Sequence, residues 1–289
     1  MRTPRTHSVT IAGGKRIGVR SWDGEGRPLV LLHGLFDSSE GWAKLAADMR
    51  RPSVAIDLPG FGGSHLPPRP RMDAYAEAVA LALEALRFER ADVVGHSLGG
   101  AVAAELAEIS DRVASLALLA PAGFGRIRLA EVVTKPGICE ISTLALPLAL
   151  VNPLTVTAAY AAFVAHGRLP ERELINRLRA RAAHAPRGVR AATLAIAHAG
   201  RAPDALFRRP LRFDGTVSAL WGEHDALVPH AHIDALRTAL PHARVEVWPG
   251  MGHHPQRERP RQLAHFLRDH LVNAGAPPAP APGLMARTA

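Results

Sequence analysis

Cysteine is nearly absent from these 289 residues. Cys139 stands alone, so no internal disulfide can cross-link the fold and nothing calls for an oxidising compartment. Aromatic residues are scarce at 5%, while alanine and leucine dominate a hydrophobic fraction of 47%. Such a chain packs its core with small and aliphatic side chains beneath many helices. Lysine occurs only at Lys15, Lys44 and Lys135, which leaves arginine to carry the formal charge of +9. The arginines are scattered from Arg2 to Arg287, and neither local cluster, 172–190 or 257–261, is interleaved with aromatics. That pattern describes solvated faces and local ion pairs, so no nucleic-acid partner is expected.

Long unbroken apolar runs are missing too. The most apolar stretch, 137–165, is interrupted by Glu140, Pro147, Asn152 and Pro153. A membrane-spanning helix needs about 20 continuous apolar residues, and proline kinks or breaks one. No integral membrane segment is therefore expected. The first residues are polar and lack the apolar centre of a secretory signal, so the expected location is cytoplasmic. Nothing in the sequence specifies an oligomeric state.

What is present is an alternation of short apolar runs and amphipathic segments. It predicts strands over 7–11, 16–21, 29–33, 53–57, 91–95, 113–119, 216–221 and 244–248. Helical spacing falls over 40–49, 73–86, 98–109, 230–240 and 260–271. Such an order makes an α/β fold, a mostly parallel central sheet flanked by helices. The alternation stops once, over 123–209, which contains no convincing strand and reads as a helical lid insertion. The core is then 1–122 together with 210–273, and the Pro/Ala-rich tail 274–289 is expected to be disordered.

Chemistry concentrates at the ends of the predicted strands. Gly95-His96-Ser97-Leu98-Gly99 follows an apolar strand and opens a helix. A glycine-rich turn of five residues occurs by chance, but this setting presents a serine openly and aims a helix N-terminus at developing negative charge. Two N–H donors are needed for an oxyanion. Leu98 supplies one, and Leu35, in the turn after His33-Gly34, supplies the other. An orienting acid and a base should follow later in the chain. The loop 222–225 offers Asp225, with Glu223 as its competitor. The loop 250–255 offers His253, with His254 as its competitor. Two preceding glycines permit the sharp turn that favours His253.

Taken together, these pieces resemble the α/β-hydrolase superfamily over nearly the whole chain outside the lid and tail. His33-Gly34 resembles its oxyanion loop, and Asp57-Leu58-Pro59-Gly60-Phe61-Gly62-Gly63-Ser64 its D-x-P-G-x-G-x-S segment. The stretch 95–99 resembles its nucleophile elbow and 222–225 its acid loop. The stretch 252–260 resembles its G-H-x-P-x-x-E-x-P ending. The resemblance implies a Ser97-Asp225-His253 triad with Leu35 and Leu98 as oxyanion donors, a structural role for Asp57, and no metal or organic cofactor. It implies a serine hydrolase of a small-molecule carboxylic ester, and the apolar residues of the lid lead us to expect a small-to-medium hydrophobic acyl group. Leu144, Leu146, Leu148, Leu150, Val151, Leu154 and Phe163 of the lid are candidates either to line an acyl pocket or to pack on one another. Carbon–carbon bond hydrolase, thioesterase and cofactor-free haloperoxidase remain alternatives, as does a non-catalytic ligand-binding protein of the same fold.

Overall fold

The computed structural model describes residues 2–141, 152–163, 175, 186–202 and 205–271. Its centre is an eight-stranded sheet in the order β1-β2-β4-β3-β5-β6-β7-β8. In chain order the strands are β1 Arg5–Ile11, β2 Lys15–Trp22, β3 Leu29–Leu32, β4 Ser53–Ile56, β5 Ala91–His96, β6 Val113–Leu119, β7 Thr216–Gly222 and β8 Arg244–Trp248. β2 pairs antiparallel with both β1 and β4, and every pairing from β4 through β3 to β8 is parallel. The chain is thus an α/β protein of the expected class, and all eight predicted strands form.

The helices are α1 Ala43–Met49, α2 Met72–Ala85, α3 Leu98–Ile109, α4 Arg128–Val133, α5 Pro153–Phe163, α6 Pro186–Ala199, α7 Ile233–Ala239, α8 Pro255–Glu258 and α9 Pro260–Leu271. Two of them start later than helical spacing suggested. The turns Ser39–Trp42 and His230–His232 are 3₁₀ and lead into α1 and α7. At the first of these, the Ser38 hydroxyl accepts the Glu40 N–H at 3.2 Å, which caps the tight turn and delays the α-helical ladder.

Strand periodicity explains the two-sided core. In β3, Val30 and Leu32 join Tyr75, Val79, Leu83, Val102 and Leu106 of α2 and α3 on one face. Leu29 and Leu31 join Trp22, Leu45, Leu263 and Leu267 on the other, under α1 and α9. All four β3 side chains are buried. A parallel strand covered on both faces must be apolar throughout, which is why these short runs were readable. Fully burying one such side chain stabilises by about 1.5–3 kcal/mol, against about 0–1 kcal/mol for an exposed ion pair. The sheet core therefore outweighs the surface arginines. The few aromatics are spent inside, with Trp42, Trp221, Tyr75 and Phe124 among the largest fully buried side chains.

Of the stretch 123–209, the described residues form helices joined by turns, with no strand among them. α6 meets the sheet domain at a glycine pair, where a Cβ at Gly188 would stand 2.6 Å from the carbonyl carbon of Gly60. Gly60 has φ +90°, in the region that favours glycine. The Arg209 guanidinium donates to Glu108 of α3 at 2.5 Å where the chain returns towards β7. Leu144, Leu146, Leu148, Leu150 and Val151 lie outside the described residues, as does the tail 274–289. Among the described residues no helix is long and apolar enough to cross a membrane.

Candidate active site

The strand order reverses between β3 and β5, and loops at the carboxyl ends of strands gather over such a switch point. The turn after β3 carries Leu35, the turn after β5 carries Ser97, the loop after β7 carries Asp225, and the loop after β8 carries His253. All four expected groups therefore belong to one edge of the sheet.

Ser97 has φ 52° and ψ −114°, a conformation costing a non-glycine residue on the order of 1–3 kcal/mol. Four backbone hydrogen bonds hold it there. Its N–H donates to Leu119 O at 2.9 Å, and its carbonyl accepts the N–H groups of Gly100, Ala101 and Ala122 at 3.0, 3.2 and 2.9 Å. The flanking glycines are a steric necessity. A Cβ at Gly95 would lie 2.7 Å from the Gly100 Cα, and one at Gly99 would lie 2.6 Å from the Leu32 carbonyl carbon. The elbow is thus wedged between β5, β3 and the first turn of α3, with Leu98 as the first residue of that helix.

The turn after β3 is closed by the Asp37 N–H donating to Gly34 O at 3.2 Å, with Phe36 at φ 61°. Leu35 is its second residue and is half-buried. His33 braces the turn from below. Its Nε2 accepts the Leu58 N–H at 3.0 Å, which leaves Nδ1 to donate to Gly34 O at 2.8 Å. Turn and elbow touch at Gly34, where a Cβ would fall 3.2 Å from the Ser97 Cβ and 2.8 Å from His96 Nδ1. Asp57 plays the structural part expected of it: its carboxylate accepts Ser39 N–H at 2.7 Å and Gly63 N–H at 3.1 Å.

Between the competing neighbours the geometry is clear. His253 Nδ1 donates to Asp225 Oδ2 at 2.6 Å, and both side chains are buried. Asp225 Oδ1 accepts the N–H groups of Leu227 and Val228 at 3.0 and 2.9 Å, which fixes the orientation of the carboxylate. Glu223 is exposed and turns away to accept the Gly250 N–H at 2.9 Å. His254 lies beside the pair, its ring centroid 5.3 Å from that of His253. With Nδ1 held by a carboxylate, the His253 ring presents Nε2 as a proton acceptor, and Asp225 can stabilise the imidazolium that results.

Two more histidines close the site. His96 Nε2 donates to the carbonyl of His253 at 2.8 Å, and its ring centroid stands 4.7 Å from those of both His253 and His254. Burial, reinforced by the nearby His253, lowers the His96 pKa to about 3, so its ring is neutral at pH 7. Burial also lowers His254 well below the ordinary histidine value, with His96, His253 and Arg257 adding to the effect. Among the described residues no group of histidine, cysteine, aspartate and glutamate is arranged to hold a metal ion.

Several contacts here have weak sequence signals. Glu258 grips the histidine loop on both sides of His253, its two carboxylate oxygens accepting Gly252 N–H and His254 N–H at 2.9 Å each. The glutamate of the G-H-x-P-x-x-E-x-P pattern was the available clue. Arg257 reaches Asp37 at 2.8 Å, a contact no local pattern announces. One candidate pocket residue is corrected: Leu154 is 77% exposed, so it lines no enclosed acyl pocket. On α5 it follows Asn152 and Pro153 at the helix start, with Asn152 Oδ1 accepting its N–H at 2.9 Å.

A mostly parallel sheet with an elbow serine, an aspartate and a histidine on the loops after β5, β7 and β8 defines a hydrolase-type scaffold. The family described as "alpha/beta hydrolase fold" matches residues 27–260, and the chain belongs to that family. Among its relatives, the dihydrolipoyllysine-residue acetyltransferase component of the acetoin cleaving system of Pseudomonas putida is 32% identical over 269 residues. That match covers 89% of this chain and 68% of the relative. A 2-hydroxymuconate semialdehyde hydrolase of Pseudomonas sp. (strain CF600) is 33% identical over 129 residues, covering 42% of this chain and 45% of that protein. Among solved structures, a membrane phospholipase A described as a bacterial virulence factor superposes with a TM-score of 0.76 at 26% identity. The match covers 94% of this chain and 86% of that one.

Proposed function

We propose that this protein is a serine hydrolase that cleaves carboxylic esters of small-to-medium hydrophobic acyl groups through an acyl-enzyme. The observation that carries the reading is the buried His253–Asp225 hydrogen bond of 2.6 Å at the same sheet edge as the strained Ser97 turn. A serine hydroxyl is a poor nucleophile until a base removes its proton, and an imidazole oriented by a carboxylate is that base. His253 Nε2 takes the Ser97 proton as Oγ bonds to the ester carbonyl carbon. The carbonyl oxygen becomes an oxyanion held by the N–H groups of Leu35 and Leu98, each donor worth roughly 3–4 kcal/mol of barrier in comparable sites. The C–O bond then breaks and the alcohol departs with the proton from His253. Water, deprotonated by the same ring, releases the acid and restores Ser97.

Selection of the acyl group is assigned to the lid, 123–209, whose helix α6 abuts the Gly60 turn. A p-nitrophenyl ester series of increasing chain length tests the reading. Turnover with an optimum at short or middle lengths is expected, and absence of turnover at every length overturns it. A carbon–carbon bond hydrolase is the second reading, favoured by the likeness to the 2-hydroxymuconate semialdehyde hydrolase. It predicts that a ring-cleavage dienoate is consumed faster than any ester of the series.

A further inference from the structure

The two loops that matter most for this chemistry are not neighbours in the sheet. The oxyanion turn follows β3 and the His253 loop follows β8, with β5, β6 and β7 between them. At about 4.8 Å per strand their roots are roughly 19 Å apart. No strand pairing therefore fixes how the Leu35 N–H stands relative to the His253 ring.

A charged clasp spans the gap. Asp37 closes the oxyanion turn, and its carboxylate is committed on both oxygens: Oδ1 accepts the Ser38 N–H at 2.9 Å, and Oδ2 accepts Arg257 Nη2 at 2.8 Å. The two side chains are 4% and 15% exposed, so the pair is largely shielded from water and salt. On the other side, Arg257 sits in α8 directly before Glu258, whose carboxylate holds the N–H groups on either side of His253. Pro255 at the first position of α8 stiffens the connection. Asp37 to Arg257 to Glu258 to His253 is thus a short rigid path from one loop to the other. In the G-H-x-P-x-x-E-x-P pattern the Arg257 position is one left open, so the clasp belongs to this chain's own sequence.

The geometry points to Arg257 as a positioning residue: through its ion pair with Asp37 it sets the oxyanion turn against the loop that carries His253. This rests on the serine-hydrolase reading above. Positioning errors of about 1 Å can cost on the order of 100-fold in rate, and loss of an interaction made only in the transition state lowers kcat without changing KM. Loss of the clasp should therefore appear in kcat, with KM little changed.

The test is steady-state kinetics on p-nitrophenyl butyrate for wild type, Arg257→Met, Arg257→Lys, Asp37→Asn and the Asp37→Asn/Arg257→Met double variant, with thermal melts alongside. For Arg257→Met, kcat is expected to fall about 10- to 100-fold with KM within about twofold. Arg257→Lys should recover part of that loss, and the double variant should be no slower than the worse single. A wild-type kcat in Arg257→Met, a loss confined to KM, or multiplicative losses in the double variant overturns the inference. If Arg257→Met does not fold, Arg257→Lys carries the test: a lowered kcat at unchanged KM is expected, and a wild-type kcat overturns it. Wild type without turnover on any ester points instead to failure of the underlying reading.

Discussion

Replacing Ser97 by glycine should make the protein more stable than replacing it by alanine. Both variants remove the hydroxyl, so only backbone strain separates them. At φ 52° and ψ −114° a residue with a Cβ carries on the order of 1–3 kcal/mol of strain. Glycine relieves that strain, at a cost of about 0.5–1 kcal/mol in chain entropy. The conformation itself persists in both variants, because the four hydrogen bonds that impose it all involve the backbone of residue 97. Taking the middle of each range, Ser97→Gly should exceed Ser97→Ala by about 1 kcal/mol. That corresponds to a melting point higher by about 2–4 °C. Denaturant unfolding at matched slopes measures it directly. A glycine variant equal to or less stable than the alanine variant refutes the strain argument, and with it the claim that the turn holds Ser97 against its own preference.

Three further outcomes follow from the same contacts. Gly99→Ala brings a Cβ to 2.6 Å from the Leu32 carbonyl carbon, a backbone atom of a central strand that cannot yield, so unfolding free energy should drop by about 1–3 kcal/mol; an unchanged melt contradicts the wedge. Glu258→Gln leaves one amide oxygen where two carboxylate oxygens gripped Gly252 and His254, and hydrogen bonds to a charged group are worth about 1.5–3 kcal/mol each. A lower melting point and about a tenfold loss of ester turnover are expected, read by calorimetry and p-nitrophenyl butyrate assay. His96 and His254 have depressed folded pKa values, so the unfolded chain binds their protons first as pH falls. Their contribution is present above about pH 6.5 and is lost towards the folded value. For His96, lowered to about 3, that loss is about 2 kcal/mol between pH 7.5 and 5. Denaturant midpoints at the two pH values should show this decline in wild type and a shallower one in His96→Asn, and equal slopes overturn the assignment.

The sheet was legible because parallel strands covered on both faces have to be continuous apolar runs, as Leu29 to Leu32 and Val113 to Leu119 are. The candidate site was legible because a serine elbow, an acid loop and a histidine loop each need glycines and turns at fixed offsets. The choice between Asp225 and Glu223 needed coordinates: the two carboxylates stand two positions apart in one loop, and only contact with His253 separates them. Leu154 misled because an apolar residue in an apolar stretch carries no information about which way its helix faces. The Asp37–Arg257 clasp was invisible for a different reason. Its partners are far apart in sequence, and neither position has a local pattern that names the other.

The central claim is that Ser97 is a nucleophile activated by His253 and Asp225. Labelling the purified protein with a fluorophosphonate and locating the adduct by peptide mass spectrometry tests it most directly. The account predicts one adduct, on Ser97, absent from Ser97→Ala and formed far more slowly in His253→Asn and Asp225→Asn. No adduct on the folded wild type, an adduct that survives Ser97→Ala, or a labelling rate indifferent to His253→Asn contradicts it.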